Sequence, residues 1–184
     1  MRKEKQRGFT LVELIITLVV LGVLASLALP AMGDFLEKRR LVGAAEEIYN
    51  HIVFTRSEAI KQSTTMRISA DDAAWCVGTR SGANNCDCTV DDPDANDACA
   101  ITMDETNVLA RVMGDGYQGI GMGHSFSNDI LTFDGVRGLV TGTSGTATLT
   151  SPSGWELRVT TSLLGRVTIC SPAGASYVTG YPEC

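Results

Sequence analysis

Between Phe9 and Gly33 the sequence carries a single charged side chain, Glu13, in a run that is otherwise apolar, small or neutral. A run of this kind is long enough to span a bilayer, which takes roughly 20 predominantly apolar residues. A short leader, Met1 to Gly8, stands before it, with Arg2, Lys3, Lys5 and Arg7 against Glu4, a net charge of plus three. Positive flanks stay cytoplasmic, so everything after residue 33 is expected on the periplasmic or external side. A secretory signal would be cut after its apolar stretch, at small residues. Here the glycine precedes the stretch. Cutting between Gly8 and Phe9 would leave the apolar helix on the mature chain as a working part. Glu13 then needs an explanation, because a carboxylate in a membrane segment costs on the order of 2.5–3.5 kcal/mol and calls for a partner or a function.

Gly8-Phe9-Thr10-Leu11-Val12-Glu13 resembles the prepilin peptidase site of type IV pilins and of the pseudopilins of type II secretion. The resemblance implies cleavage after Gly8, methylation of the new amino group of Phe9, and retention of the helix as membrane anchor and filament core. It also implies a partner for Glu13, the methylated amine of Phe9 on a neighbouring subunit. Gly22 and Pro30 interrupt the run. Proline removes a helical hydrogen bond, and both a tolerated kink and a weak point that extends in a filament fit the sequence. Pilins with a proline similarly placed support the second.

The helix is expected to continue past Gly33. Leu41, Ala45, Ile48, Ile52, Thr55 and Ala59 recur at steps of three and four and paint one apolar stripe. Glu37, Lys38, Arg39, Arg40, Glu46, Glu47 and Arg56 fall mostly on other faces. His51, with no second ligand near it, reads as a surface or boundary residue. The organisation expected is a leader over 1–8, a transmembrane or filament-core helix over 9–33, an amphipathic half over 34–62 and a β-rich globular domain over 63–184. Strands are expected at 65–69, 74–79, 107–112, 130–133, 146–150, 156–161 and 166–170, separated by turn pairs such as Asp134-Gly135 and Leu164-Gly165. The fold class is α+β, a long N-terminal helix packed on an antiparallel sheet or sandwich.

Three further segments narrow the resemblance to the H-type pseudopilin and FimT/FimU minor-pilin family (GspH/FimT). They are Thr55 to Lys61, Leu131 to Gly135 followed by Gly138, and Gly165 to Cys170. The family implies a pilin-like fold and an assembly role with other pilins or pseudopilins after prepilin peptidase processing. The chain would sit in the inner membrane before it joins a pilus or pseudopilus.

Six cysteines, at positions 76, 86, 88, 99, 170 and 184, suit the oxidising compartment that this topology implies. Joining Cys170 to Cys184 would staple the tail to the last strand. Cys86 and Cys88 are too close to bond to each other without strain. That leaves Cys76–Cys86 with Cys88–Cys99, or Cys76–Cys88 with Cys86–Cys99. The acidic loop from Asp87 to Glu105 lacks the glycine and terminal glutamate of an EF-hand, so it reads as solvated rather than as a calcium site. The sequence offers no metal or cofactor motif and no catalytic constellation, and the chain is not expected to be an enzyme.

Two functional classes follow: a structural or initiating subunit of a type IV pilus, with the type II secretion pseudopilin as alternative, or a DNA-uptake receptor of a competence pilus. Some FimT-like proteins bind DNA through arginines of a C-terminal Gly-Arg motif. Gly165 and Arg166 match it, but Thr168 stands where a second arginine would strengthen the site. Arg137, Arg158 and Arg166 could form a local patch. The whole chain carries minus six, and without the plus-three leader minus nine, so it lacks the basic footprint of nucleic-acid binders. The structural class is favoured.

Overall fold

A computed structural model describes residues 9–184, apart from the side chains of 27–31. The expected leader and the Gly8 side of the cleavage site lie outside the described residues. The chain divides into two compact units, the first ending at Leu36 and the second running from Glu37 to Cys184.

One helix, α1, spans Leu11–Lys61. In the first unit its large apolar side chains, Leu11 to Leu24, are exposed. No helix among the described residues is long and apolar enough to cross a membrane. The expected span is therefore not a feature of the described helix. Its continuously described apolar part is Leu11–Ser26, and the sequence run continues to Met32 through residues 27–31. The expected kink at Pro30 falls on one of the side chains outside the description.

The second unit holds the rest of α1 and eleven strands: β1 (Met66–Asp71), β2 (Cys76–Ser81), β3 (Ala100–Met103), β4 (Thr106–Leu109), β5 (Arg111–Met113), β6 (Gly121–His124), β7 (Ile130–Phe133), β8 (Val140–Thr141), β9 (Gly145–Thr150), β10 (Glu156–Thr161) and β11 (Val167–Cys170). They form an antiparallel five-stranded sheet ordered β5-β2-β1-β7-β8, a four-stranded sheet ordered β11-β10-β9-β6, and the hairpin β3-β4. The stretch expected as one strand over 107–112 is two. The chain changes sheets at Ala110, whose N–H donates to Cys99 O (2.9 Å) and whose carbonyl accepts from Thr79 N (2.7 Å).

All six stripe residues of α1, Leu41, Ala45, Ile48, Ile52, Thr55 and Ala59, have no exposed surface. The five apolar ones share one core with Met66 and Ile68 of β1, Leu131 and Phe133 of β7, Leu149 of β9, and Leu157 and Val159 of β10. The alternate-residue burial of β7, β9 and β10 is what a sheet with one covered face requires.

His51, expected at the surface or its boundary, belongs to the buried side of α1. It is 9 % exposed, on the face of α1 that packs against β2. Its Nε2 is 2.8 Å from the Thr79 hydroxyl, which is 2.6 Å from the Thr55 hydroxyl, and Thr55 in turn donates to His51 O (2.9 Å). Burial pushes the imidazole pKa down from 6.5 to about 4. The residue is a neutral, hydrogen-bonded part of the core, in keeping with the rule that buried polar groups find partners.

Candidate functional site

The start of α1 has a local reason to begin where it does. Thr10 precedes the first helical residue, and its Oγ1 accepts from the Glu13 N–H at 3.2 Å and lies 3.5 Å from Glu13 Oε2. Thr10-Leu11-Val12-Glu13 is thus a Thr-x-x-Glu cap, with the hydroxyl satisfying one of the orphan N–H groups of the first turn. The carboxylate also stands at the helix terminus where negative charge is favoured. The signal was present in the sequence, overshadowed by the cost of burying a carboxylate. Phe9, 81 % exposed just before the helix, and Glu13, exposed in its first turn, are therefore both open to solvent.

Around the far end of α1 the three family-like segments meet. Arg56 Nε donates to Gly138 O at 2.9 Å. A Cβ on Gly165, at φ +72°, would sit 2.2 Å from that same carbonyl and 2.7 Å from Arg56 Nε. A Cβ on Gly135 would sit 2.3 Å from Thr64 N. Glycine is required at both places by backbone approach. Asp134 closes the loop between them: Oδ1 accepts from the N–H groups of Val136 (2.8 Å) and Arg137 (2.7 Å), and Oδ2 from Leu139 (3.0 Å). The Arg137 N–H leads the causes that hold the Asp134 carboxyl below the usual carboxylate range. Glu58, buried at the same helix end, is likewise held low, chiefly by the hydrogen bond from Gln62 and further by Lys61. The junction is a structural lock, joining helix, β7–β8 loop and β10–β11 turn.

The three candidate DNA-binding arginines do not form one patch. Arg158 pairs with Glu156 (Nε to Oε1, 2.6 Å) and lies in register with Cys170. Arg166 is at the opposite end of β11, in the turn before Val167, where its N–H donates to Ser162 Oγ at 3.2 Å. Arg166 lines a surface groove with Tyr49, Val53, Arg56 and Leu164. Val136, Leu163 and Leu164 beside it are exposed, and Val140 N–H donating to Leu163 O (3.0 Å) ties the two loops together. Arg56, one of the charges off the apolar stripe, is the arginine that organises this end of the domain.

The cysteines pair as Cys76–Cys88, Cys86–Cys99 and Cys170–Cys184. The first two take one of the two arrangements left open by spacing. They bury Cys76, Cys88 and Cys99 in a small cluster of their own, on a face of β2 where Gly78 leaves room: a Cβ there would be 2.3 Å from Cys99 Sγ. The acidic loop is further held by Arg111, which donates to Cys88 O (2.8 Å) and Val90 O (2.9 Å) and pairs with Asp91. The tail staple also docks Tyr181, whose hydroxyl donates to Glu46 at 3.3 Å. Tyr117 donates to Glu47, and burial first, then Glu47, pushes its hydroxyl up to about 12. Glu37 accepts from Ser153 N (2.7 Å), and Lys38 stands 3.7 Å over the Trp155 ring. Charges off the apolar stripe of α1 thus latch loops of the β-domain onto the helix.

Comparison with known proteins agrees with this construction. The family model described as type II transport protein GspH matches residues 44–165, and that described as the prokaryotic N-terminal methylation motif matches residues 3–29. The fimbrial protein EcpC of Eikenella corrodens is 44 % identical over 41 residues, 22 % of this chain and 27 % of that protein. A type IV major alpha-pilin of Moraxella bovis is 42 % identical over 43 residues, 23 % of this chain and 27 % of that one. The chain thus spans about 27 % of the length of these curated relatives. Among solved structures, the type IV minor pilin FimU of Pseudomonas aeruginosa superposes with a TM-score of 0.53 at 20 % identity, covering 78 % of this chain and 99 % of that one. That likeness shows the fold, a long helix on antiparallel sheets.

Proposed function

This chain belongs to the GspH family of type II transport proteins, and from that premise we propose that it is a minor pilin, a structural or initiating subunit of a type IV pilus. The coarser statement needs no proposal: it is a pilin-class subunit of the kind that serves type IV pili or type II secretion, a structural rather than catalytic class. The observation that carries the finer reading is the coincidence, in one chain, of an N-terminal methylation motif and a FimU-like fold. The type II secretion pseudopilin is the second reading, favoured by the description of the matching family.

In this account prepilin peptidase removes residues 1–8, and the helix over 9–33 holds the chain in the inner membrane with residues 63–184 in the periplasm. The helix then leaves the membrane to enter the filament. Glu13 acts at that step. Its carboxylate meets only the adjacent Thr10 hydroxyl, at 3.5 Å, among the described residues, so it remains open to the positively charged N-terminus of a neighbouring Phe9, and a buried negative charge is costly without such a partner.

Arg166 and Arg137, exposed beside Val136, Leu163 and Leu164, fit a protein neighbour in the filament better than a nucleic-acid backbone. Protein interfaces combine an apolar centre with arginine, whereas non-specific DNA binding rests on a broad basic surface. Gel shifts with the full chain in detergent, across a salt series, test this. Absence of salt-sensitive DNA binding is expected. Tight binding at physiological salt that Arg166→Ala abolishes would overturn the structural reading in favour of a DNA receptor.

A further inference from the structure

Arg67 of β1 and Arg80 of β2 stand directly opposite each other in the antiparallel register. Met66 and Ile68, on either side of Arg67, are buried in the core shared with α1. Side chains alternate between faces along a strand, so Arg67 belongs to the outer face of the five-stranded sheet. Like charges at opposed positions repel, and neither arginine has a carboxylate within ion-pair distance among the described residues. Arg80 donates to Asn96 O and borders a cavity that also holds Asp94. Arg67 is less well served. Its Nη1 donates to Asn85 Oδ1 at 3.2 Å, while its Nε is buried with no hydrogen-bond partner. Leaving a buried donor without an acceptor is costly.

The row continues on the side of Arg67 away from Arg80. Thr132 of β7 is in register with Arg67, and Thr141 of β8 with Thr132. Arg67, Ser127, Thr132, Thr141 and Thr143 border one surface cavity with no acidic residue in its lining. Its volume, about 210 Å³, is many times the roughly 10–15 Å³ that a single water needs. A guanidinium, an unserved N–H and a set of hydroxyls thus border a space that lacks an anion, in a chain whose net charge is minus six.

We propose that this cavity is a binding site for a small soluble monocarboxylate, held by Nε and Nη2 of Arg67 and by the Thr132 hydroxyl. Asn85 occupies Nη1, which leaves Nε and Nη2, the edge of the guanidinium that donates to both oxygens of a carboxylate in parallel. Asn85 is exposed, and its side chain can swing from Nη1 to admit the ligand to the covered edge. Each carboxylate oxygen has a further lone pair that a hydroxyl can serve. One guanidinium neutralises one negative charge, whereas a dianion such as phosphate would bring an uncompensated charge into an acidic chain. The site lies on the face away from α1, so its occupation does not compete with helix packing.

The test uses the full chain, uniformly labelled with nitrogen-15, in a non-ionic detergent at neutral pH. Sodium acetate replaces sodium chloride at constant ionic strength while NMR follows the arginine Nε–H signals and the amides of Thr132 and Thr141. One Nε–H signal, missing from Arg67→Lys, should move saturably together with both amides, and inorganic phosphate should bind more weakly than acetate. Arg67→Lys keeps the charge and loses the fork. Read at the two amides, it should weaken acetate binding about tenfold or more. Thr132→Val, a change on the outer face, should weaken it severalfold with the thermal transition unchanged. The proposal is overturned if acetate produces no saturable shift, or if phosphate binds more tightly than acetate. It is also overturned if Arg67→Lys or Thr132→Val binds acetate as tightly as wild type.

Discussion

Acidification should loosen the helix from the sheet through His51, before most carboxylates respond. The imidazole is buried in the fold with its pKa pushed down from 6.5 to about 4. The unfolded chain therefore binds a proton below about pH 6.5 that the folded chain refuses until about pH 4. The group's full contribution to stability is present above the unfolded pKa, declines as pH falls through the window, and is gone below the folded pKa. At about 1.4 kcal/mol per pKa unit, a shift of two to three units is worth roughly 3 kcal/mol, of which most is lost by about pH 4.5. That is a sizeable fraction of the stability of a typical domain, about 5–15 kcal/mol. The assay is urea denaturation of the full chain in detergent, followed by tryptophan fluorescence, at neutral pH and at about pH 4.5. Wild type should lose roughly 2–3 kcal/mol more than His51→Gln over this interval. Carboxylates held low, such as Glu58 and Asp134, act at lower pH and equally in both proteins. Equal losses in the two proteins, or a His51 ring resonance titrating near 6.5, would refute the reasoning.

Other expectations follow from the same contacts. Gly165→Ala combines positive φ with a Cβ 2.2 Å from a backbone carbonyl; it should cost more than about 2 kcal/mol in the same denaturation assay. Gly123→Ala, which meets nothing within 4 Å, should stay within about 0.5 kcal/mol of wild type. Replacing Cys86 and Cys99 together by serine opens a loop with a sequence separation of 13 and should cost about 3 kcal/mol, with the acidic loop becoming the first site of limited proteolysis. Glu13→Ala should leave the thermal transition of the β-domain unchanged, because the hydrogen bonds of this residue are to Thr10. The same variant should be depleted from sheared filaments, and equal recovery with wild type would count against its assembly role.

The parts of the fold legible in the sequence are those where one physical rule acts alone. The stripe from Leu41 to Ala59 is visible because helical periodicity is the only thing its residues satisfy. The strands at 130–133 and 156–161 are visible because alternation and flanking turns agree. β6 was illegible: Gly-Met-Gly-His has no strand preference, and it is a strand because it pairs with β9. β3 was concealed in the acidic stretch, where two disulfides and Arg111, not local propensity, set the path. His51 misled because its polarity outweighed its position. It stands three residues after Ile48 and four before Thr55, on the stripe by the same spacing. The junction was readable only as three similar segments, since the contact of Arg56, Gly138 and Gly165 exists only once the chain is folded.

The central claim is that Gly8-Phe9 is cut and that the exposed Phe9 becomes the methylated end of an assembling helix. Intact-mass spectrometry of the chain recovered from membranes of its native host tests it most directly. The account predicts a single species with the mass of residues 9–184, three disulfides and one added methyl group, and accumulation of the uncut chain in Gly8→Val. A native chain that keeps residues 1–8, or a Gly8→Val chain cut between residues 8 and 9 at the wild-type rate, would contradict it.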